Sequence, residues 1–297
     1  MTSHKRVALV TGTSRGIGKA IALELGLAGF SVYLTGRTRR GAESYSKLSG
    51  SIDETADQII TSGGRAIAVQ CDHRDDTAVT ALFQQILDEA GRLDLLVNNA
   101  WSGYSTMQRK LEEALTEPKS REQMNTEMDE AFGEFTEPFW SMPTTNWDEM
   151  STVGVRSHYV TAVLAARIMV EQNEGLILNT TADISHTGGQ VAYNMAKCAI
   201  NRMTADMAAQ LQPHSVGVVA IQPGMVLTEM FEERFRKGIL DESDFARFEA
   251  PSFVGKCVVA LATAPDILQH SGDVLSTVDI AKAYGIPLLD GRHVPLI

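Results

Sequence analysis

Val7-Ala8-Leu9-Val10 runs directly into Thr11-Gly12-Thr13-Ser14-Arg15-Gly16-Ile17-Gly18, and then into Lys19-Ala20-Ile21-Ala22-Leu23-Glu24-Leu25. The order is a buried strand, a glycine turn and a helix. A turn of this kind lets the backbone come close to a pyrophosphate and aims free N–H groups of the helix start at its charge, so a dinucleotide is the ligand it suits. The context extends the reading. Ala28-Gly29-Phe30 ends the helix, and Val32-Tyr33-Leu34 supplies a second apolar run at the distance a βαβ unit requires. A tight turn that binds nothing is the competing interpretation.

Around this unit the chain has 297 residues and a formal net charge of −11. It is long enough for one large α/β domain, expected over residues 1–297. The acidic balance and the lack of a long basic block argue against a nucleic-acid partner. Cys71, Cys198 and Cys257 are widely spaced in apolar or strand-like contexts. That suits reduced thiols in a cytoplasm, with no disulfide and no structural metal. Met1 to Arg6 leads straight into the first strand, and no apolar run approaches the length of a bilayer span. A soluble, cytoplasmic protein without a signal peptide or membrane span is therefore expected.

Strand-like runs recur at Val7–Val10, Val32–Thr35, Ala66–Gln70, Leu95–Val97, Leu176–Asn179, Val216–Ile221 and Asp273–Leu275. Helical patterns lie between most of them, which implies a parallel seven-stranded sheet with helices on both faces. The segments Asp75–Ala90, Asn146–Val170 and Val191–Leu211 carry apolar residues at three and four spacing, as sheet-covering helices do. Two regions break the rhythm. Residues 102–145 are rich in Glu, Met and Thr, and residues 229–250 interleave acids with Phe231, Phe235, Phe245 and Phe248. Both follow strand C-termini, where open sheets bind ligands, so each is a substrate lid, a surface insertion or an oligomer contact.

Tyr193 and Lys197 stand four positions apart, on one face of the third of these helices. An ammonium about 4 Å from a phenol, at an effective dielectric of about 20, favours the phenolate by about 4 kcal/mol. Such a tyrosine can exchange a proton with a developing alkoxide near neutral pH. Taken alone, the spacing equally describes a buried ring beside an exposed lysine.

Together, Thr11-Gly12-x-x-x-Gly16-x-Gly18, Asp72 after the third strand, Asn98-Asn99-Ala100 after the fourth, Tyr193-x-x-x-Lys197 and Pro223-Gly224-Met225-Val226-Leu227-Thr228 after the sixth resemble the short-chain dehydrogenase/reductase family. The likeness spans nearly the whole chain. The tail, Gly255 to Thr263 and then Asp279 to Gly285, resembles the dehydrogenase/reductase member 1 subgroup. The resemblance implies a single-domain Rossmann fold and a nicotinamide cofactor held by Gly12, Ser14, Arg15, Gly16, Ile17 and Gly18 of the turn. It also implies that Asp72 bonds the adenine amino group, that Asn98 orders the strand beside the cofactor, that Val226 and Thr228 hold the carboxamide, and that Ala100, Pro223 and Gly224 are further cofactor-binding residues. Tyr193 and Lys197 would be catalytic and also touch the cofactor. A homodimer or homotetramer is implied in the same way.

Cofactor choice has a physical argument. The second strand ends in Gly36-Arg37, where an acid would hold ribose hydroxyls and repel a 2′-phosphate. Arg37, with Ser14 and Arg15, offers donors and positive charge suited to that phosphate, so NADP(H) is expected over NAD(H). A solvated basic turn of Arg37, Arg39 and Arg40 is the alternative.

Three positions depart from the pattern that the resemblance implies. Ala182 stands where a serine usually donates to the substrate oxygen, which leaves Thr181, Ser185 or Asp183 as substitutes. Loss of one such donor costs about 3 kcal/mol in comparable sites. Gly154 replaces an asparagine that helps relay protons to the lysine, and Trp101 replaces a glycine beside the nicotinamide, as a pocket wall or as a core aromatic.

The expected function is hydride transfer between NADP(H) and a carbonyl or alcohol of a small, apolar substrate. Tyr193 would be the acid-base group and Lys197 its partner, with the oxyanion donor open between Thr181, Ser185 and water. A cofactor-binding protein with little catalysis, acting as a sensor or assembly partner, is the alternative that Ala182 raises. Non-redox lyase chemistry on the same fold is a third.

Overall fold

The computed structural model describes residues 5–42, 48–103, 138–185, 190–236 and 248–287. Seven strands form one parallel sheet: β1 (Val7–Thr11), β2 (Ser31–Gly36), β3 (Arg65–Gln70), β4 (Leu95–Asn98), β5 (Gly175–Thr180), β6 (Val216–Gln222) and β7 (Val274–Ser276). Their order is β3-β2-β1-β4-β5-β6-β7. Chain order therefore reverses between β1 and β4, which pair with Ala8 opposite Leu95 and Val10 opposite Val97. A crevice opens at that point beyond the carboxyl ends of the strands.

Alternating side chains of the central strands feed two cores, as a period of two dictates. Ala8 and Val10 join Ile21, Leu25, Val254 and Val258 on one face, while Val7 and Leu9 join Leu82, Ile86, Ala165 and Ile177 on the other. The first face is covered by α1 (Gly16–Leu27), α2 (Ile52–Thr61), α8 (Pro251–Thr263) and α9 (Thr277–Tyr284). The second is covered by α3 (Asp76–Ala90), α5 (Ser157–Gln172) and α6 (Val191–Leu211). Local signals set several ends. Ser51 and Glu54 form a reciprocal capping box on α2, Asp75 caps α3, and Gly91 closes α3 at a left-handed φ of 68°.

The expected helix over 146–170 is not continuous. It divides into α4 (Thr145–Met150), a wide turn over Ser151–Arg156, and α5. Within that turn Val153 and Gly154 leave helical geometry, Gly154 at φ 153° and ψ −62°. Periodicity alone missed the break, since apolar spacing survives on both sides of it. The last strand is also shifted by one residue from Asp273–Leu275. Cys71 and Cys257 are buried free thiols, whereas Cys198 is exposed on α6 rather than in an apolar setting. Of the two irregular regions, 104–137 and 237–247 lie outside the described residues. What is described of the second begins as α7 (Glu229–Arg236).

Candidate functional site

The glycine turn lies in the crevice and is clamped from both sides. The Thr11 hydroxyl accepts the N–H groups of Asn99 and Ala100, each at 2.9 Å. In return, Asn99 Nδ2 donates to the carbonyls of Thr11 at 3.0 Å and Gly12 at 3.2 Å. On the other side Thr13 N–H reaches Thr35 O at 2.9 Å, and the Thr55 hydroxyl donates to Thr13 O at 2.9 Å. Gly12 has φ 74°, and a Cβ there would lie 2.9 Å from Ala100 Cα. Any side chain at 12 would push β4 from the turn. These residues fit a dinucleotide diphosphate, because the turn is held rigidly with the start of α1 at the crevice.

One N–H of that turn has a notable partner. Gly16 N–H donates to Glu229 Oε2 at 2.7 Å, so the first residue of α7 sets a carboxylate on the anion-binding end of α1. Arg15 braces the neighbouring loop, donating to the carbonyls of Leu48, Ser49 and Gly50 at 3.0–3.2 Å. Arg39 and Arg40 pair with Asp53 and Asp57. Arg37 follows β2 directly, with its carbonyl accepting from Gln70 Nε2 at 3.0 Å. Asp72 is held by the Arg74 guanidinium at 2.7 Å. Although burial pulls its carboxyl upward, the hydrogen bonds from Arg74 keep it below its ordinary range.

Between the turn and the second cluster lies a buried amide ladder. Asn98 Nδ2 donates to Asn179 Oδ1 at 3.0 Å, and Asn98 Oδ1 accepts from the Thr161 hydroxyl at 2.6 Å. Asn179 Nδ2 then donates to the Thr204 hydroxyl at 3.0 Å. The ladder ties β4 and β5 to α5 and α6, which fixes how far α6 stands from the sheet. Each buried amide is matched, so losing one rung leaves others unsatisfied.

On α6, Tyr193 and Lys197 share a face, and Trp101 from the loop after β4 meets both. Lys197 Nζ lies 3.8 Å from the Trp101 ring centroid and 5.5 Å from that of Tyr193. The Trp101 and Tyr193 rings meet edge to face at 5.7 Å and 83°. Lys197 is buried, and no carboxylate or hydrogen-bond acceptor among the described residues partners it. Burial pulls its pKa down from 10.5 to about 7. The cation–π contact, worth about 2 kcal/mol for a desolvated cation, works against that loss. Burial in this site therefore opposes the ammonium charge on which phenolate stabilisation depends. Trp101 thus packs against both members of the Tyr193–Lys197 pair. His158 of α5 is also buried, and burial together with the Lys197 charge holds its imidazole neutral, at about 3.

Thr181 follows β5, with its N–H on Ile221 O at 2.9 Å. Its hydroxyl is buried and has no partner among the described residues. Ser185 is exposed, its N–H bonded to Asp183 Oδ1 at 2.8 Å. Beyond β6, the turn from Pro223 to Thr228 is secured by Glu249. Val226 and Glu249 form a parallel bridge, and Glu249 Oε1 accepts from Gly224 N–H at 3.1 Å and from the Thr277 hydroxyl at 2.7 Å. Burial raises the pKa of Glu249, against the pull of these two bonds. Phe248 packs on Phe231 and Phe235 at 4.7 and 5.8 Å, so three of the four phenylalanines noted in the sequence cluster, while Phe245 lies outside the described residues.

The structure therefore gathers the residues into two groups, the glycine turn with Asn98–Ala100 and the Tyr193–Lys197 pair with Trp101. Sequence reasoning overlooked Asn99, Glu229 and Glu249. Asn99 stood inside a quoted motif; nothing in the spacing of Glu229 and Glu249 marked them. Among the described residues no helix is long and apolar enough to cross a membrane.

Comparison with known proteins agrees with this arrangement. Residues 6–238 match the short chain dehydrogenase family. The chain is 38% identical to mouse "Dehydrogenase/reductase SDR family member 1", over 97% of its own length and 85% of the relative's. It is 30% identical to a 3-oxoacyl-[acyl-carrier-protein] reductase of Synechocystis, covering 91% and 94%. Among solved structures, a metagenomic short-chain oxidoreductase in complex with NADP is 25% identical, with a TM-score of 0.65 and coverage of 93% and 97%. The seven-stranded topology, the glycine turn at its switch point and these likenesses make the chain a member of the short-chain dehydrogenase/reductase family of oxidoreductases.

Proposed function

We propose that the protein transfers hydride between NADP(H) and a carbonyl or alcohol carbon of a small apolar substrate. The observation that carries this reading is the Tyr193–Lys197 pair, with Lys197 buried and both side chains against Trp101, on the helix that the amide ladder fixes against β4 and β5. When bound, a reduced nicotinamide supplies the hydride. Tyr193 gives its phenolic proton to the developing alkoxide in reduction and takes it back in oxidation. Lys197, when protonated, stabilises the phenolate and is the group to hold the nicotinamide ribose. The Thr181 hydroxyl, buried and lacking a partner among the described residues, is the candidate donor to the substrate oxygen in place of the serine replaced by Ala182.

Gly36 and Arg37 support NADP(H) over NAD(H), since β2 ends without an acid and Arg39 and Arg40 are already paired. Gly12, Ser14, Arg15, Gly16, Ile17 and Gly18 would line the diphosphate, Asp72 the adenine, and Asn98, Ala100, Pro223, Gly224, Val226 and Thr228 the nicotinamide side. The apolar substrate class follows from Trp101 and the Phe231–Phe235–Phe248 cluster. A cytoplasmic homo-oligomer remains the expectation from the family. Ala182 favours one second reading, a cofactor-binding protein with weak catalysis.

Thermal stability with NADPH, NADH and no cofactor, followed by NADPH consumption at 340 nm over a ketone and aldehyde panel, tests both readings. NADPH should stabilise more than NADH, and equal or better stabilisation by NADH sinks the preference. Tyr193→Phe should lose about 10²- to 10⁴-fold in turnover while keeping the NADPH-induced stabilisation. Retained turnover refutes the role of Tyr193, and stabilisation without any wild-type turnover favours the second reading.

A further inference from the structure

We infer that Trp101 is a positioning residue for Lys197, its indole seated between Gly103 and Gly154 so that its face holds the lysine ammonium beside Tyr193. This rests on Tyr193 and Lys197 being the proton-transfer pair. Four contacts define the seat. A Cβ built on Gly154 would overlap Cζ3 and Cε3 of the ring, and one built on Gly103 would lie 2.7–2.8 Å from Cζ2 and Cε2. The six-membered ring is therefore slotted between two backbones that come this close only because neither residue has a side chain. Its face meets Lys197 Nζ at 3.8 Å, and the Tyr193 ring closes the third side at 5.7 Å. Gly154 sits at φ 153°, in the break between α4 and α5. The break thus makes the space that the indole fills, and two of the departures noted in the sequence, Trp101 and Gly154, form one packing unit.

The surroundings leave the ring as the main partner of the cation. Tyr193 on its own helix and neutral His158 on α5 are the nearby titratable groups. Arg156 of the kinked turn is paired with Asp76, Asp148 of α4 is exposed, and β6 carries no charged residue. Burial is the cause of the lowered lysine value, with no contribution from Asp148 or Glu149. A desolvated ammonium with an aromatic face keeps its proton better than one against an aliphatic surface.

The test is heteronuclear NMR of protein labelled at the lysine ε-carbon, with the Lys197 signal assigned through Lys197→Met. In the wild type the Lys197 ε-protons should lie upfield of ordinary lysines through the Trp101 ring current. An unshifted signal overturns the inference without any variant being needed. Trp101→Leu should lower the Lys197 pKa by about one unit, and Trp101→Phe, which keeps an aromatic face, by less than half of that. The alkaline limb of kcat against pH, read with the best-turned-over ketone of the panel, should move down by the same amount. A fall in kcat with an unmoved lysine pKa would mean that Trp101 acts on substrate instead, and would refute the positioning role. Failure of the functional reading is separate: it appears as turnover surviving in Tyr193→Phe, whatever the NMR titration gives.

Discussion

The two halves of the crevice are built on opposite polar economies. Around the glycine turn nearly every buried polar group is matched within the protein: Thr11 with Asn99 and Ala100, Thr13 with Thr35, Thr55 with Thr13. Around Tyr193 the buried groups face one another across aromatic surface, with Lys197 under an indole and the Thr181 hydroxyl without a partner among the described residues. A turn that must present its backbone to a ligand is held rigid by spending its side chains internally. A buried amine with no carboxylate beside it among the described residues carries a perturbed pKa as the result.

The contrast can be broken from the catalytic side first. Lys197→Met should cost about a hundredfold or more in turnover. It should also alter stability against pH. Folded Lys197 titrates at about 7 and an ordinary lysine at 10.5, so between these values the unfolded chain holds the extra proton. Cofactor-free stability should rise with pH across that window and lose this rise in Lys197→Met, as urea titrations at several pH values would record. An unchanged slope would mean that Lys197 is solvated.

On the cofactor side, Asn99→Ala removes two bonds to the turn and leaves the Thr11 and Gly12 carbonyls short of donors. A loss of about 1–3 kcal/mol in unfolding free energy is expected, together with weaker NADPH binding. A variant as stable as wild type would show that the clamp from β4 is dispensable. The smallest effect sharpens the comparison. Glu229→Gln withdraws a negative charge from the N–H of Gly16, where a diphosphate would bring its own. NADPH should bind about three- to tenfold more tightly by calorimetry, with the gain fading at high salt. Weaker binding would mean that Glu229 assists the cofactor.

The sequence carried the first half of this comparison better than the second. Strand, glycine turn and helix are local in the chain, and β1, α1 and β2 fall where the periodicity of Val7 to Leu34 puts them. Tyr193 and Lys197 were legible because an interval of four is a helical neighbourhood, and α6 spans the full Val191–Leu211 expected. The break at Gly154 was not, since a backbone excursion leaves no trace in apolar spacing. Trp101 was legible as an oddity but not as a partner of Lys197, because nothing local joins a loop after β4 to a helix after β5. Glu229 and Glu249 belong to the same class of contact. Each works through a backbone N–H distant in sequence, and such pairings come only from the topology.

The bridge between Val226 and Glu249 bears on how this fold changes its diet. The two residues pair beyond the end of β6, and the Glu249 carboxylate holds both Gly224 and Thr277. Closing a loop of twice the length costs only about 0.6 kcal/mol more, so a chain tied at these two points can change in length between them at little expense to the sheet. Glu249 is the clasp that would keep such a change local.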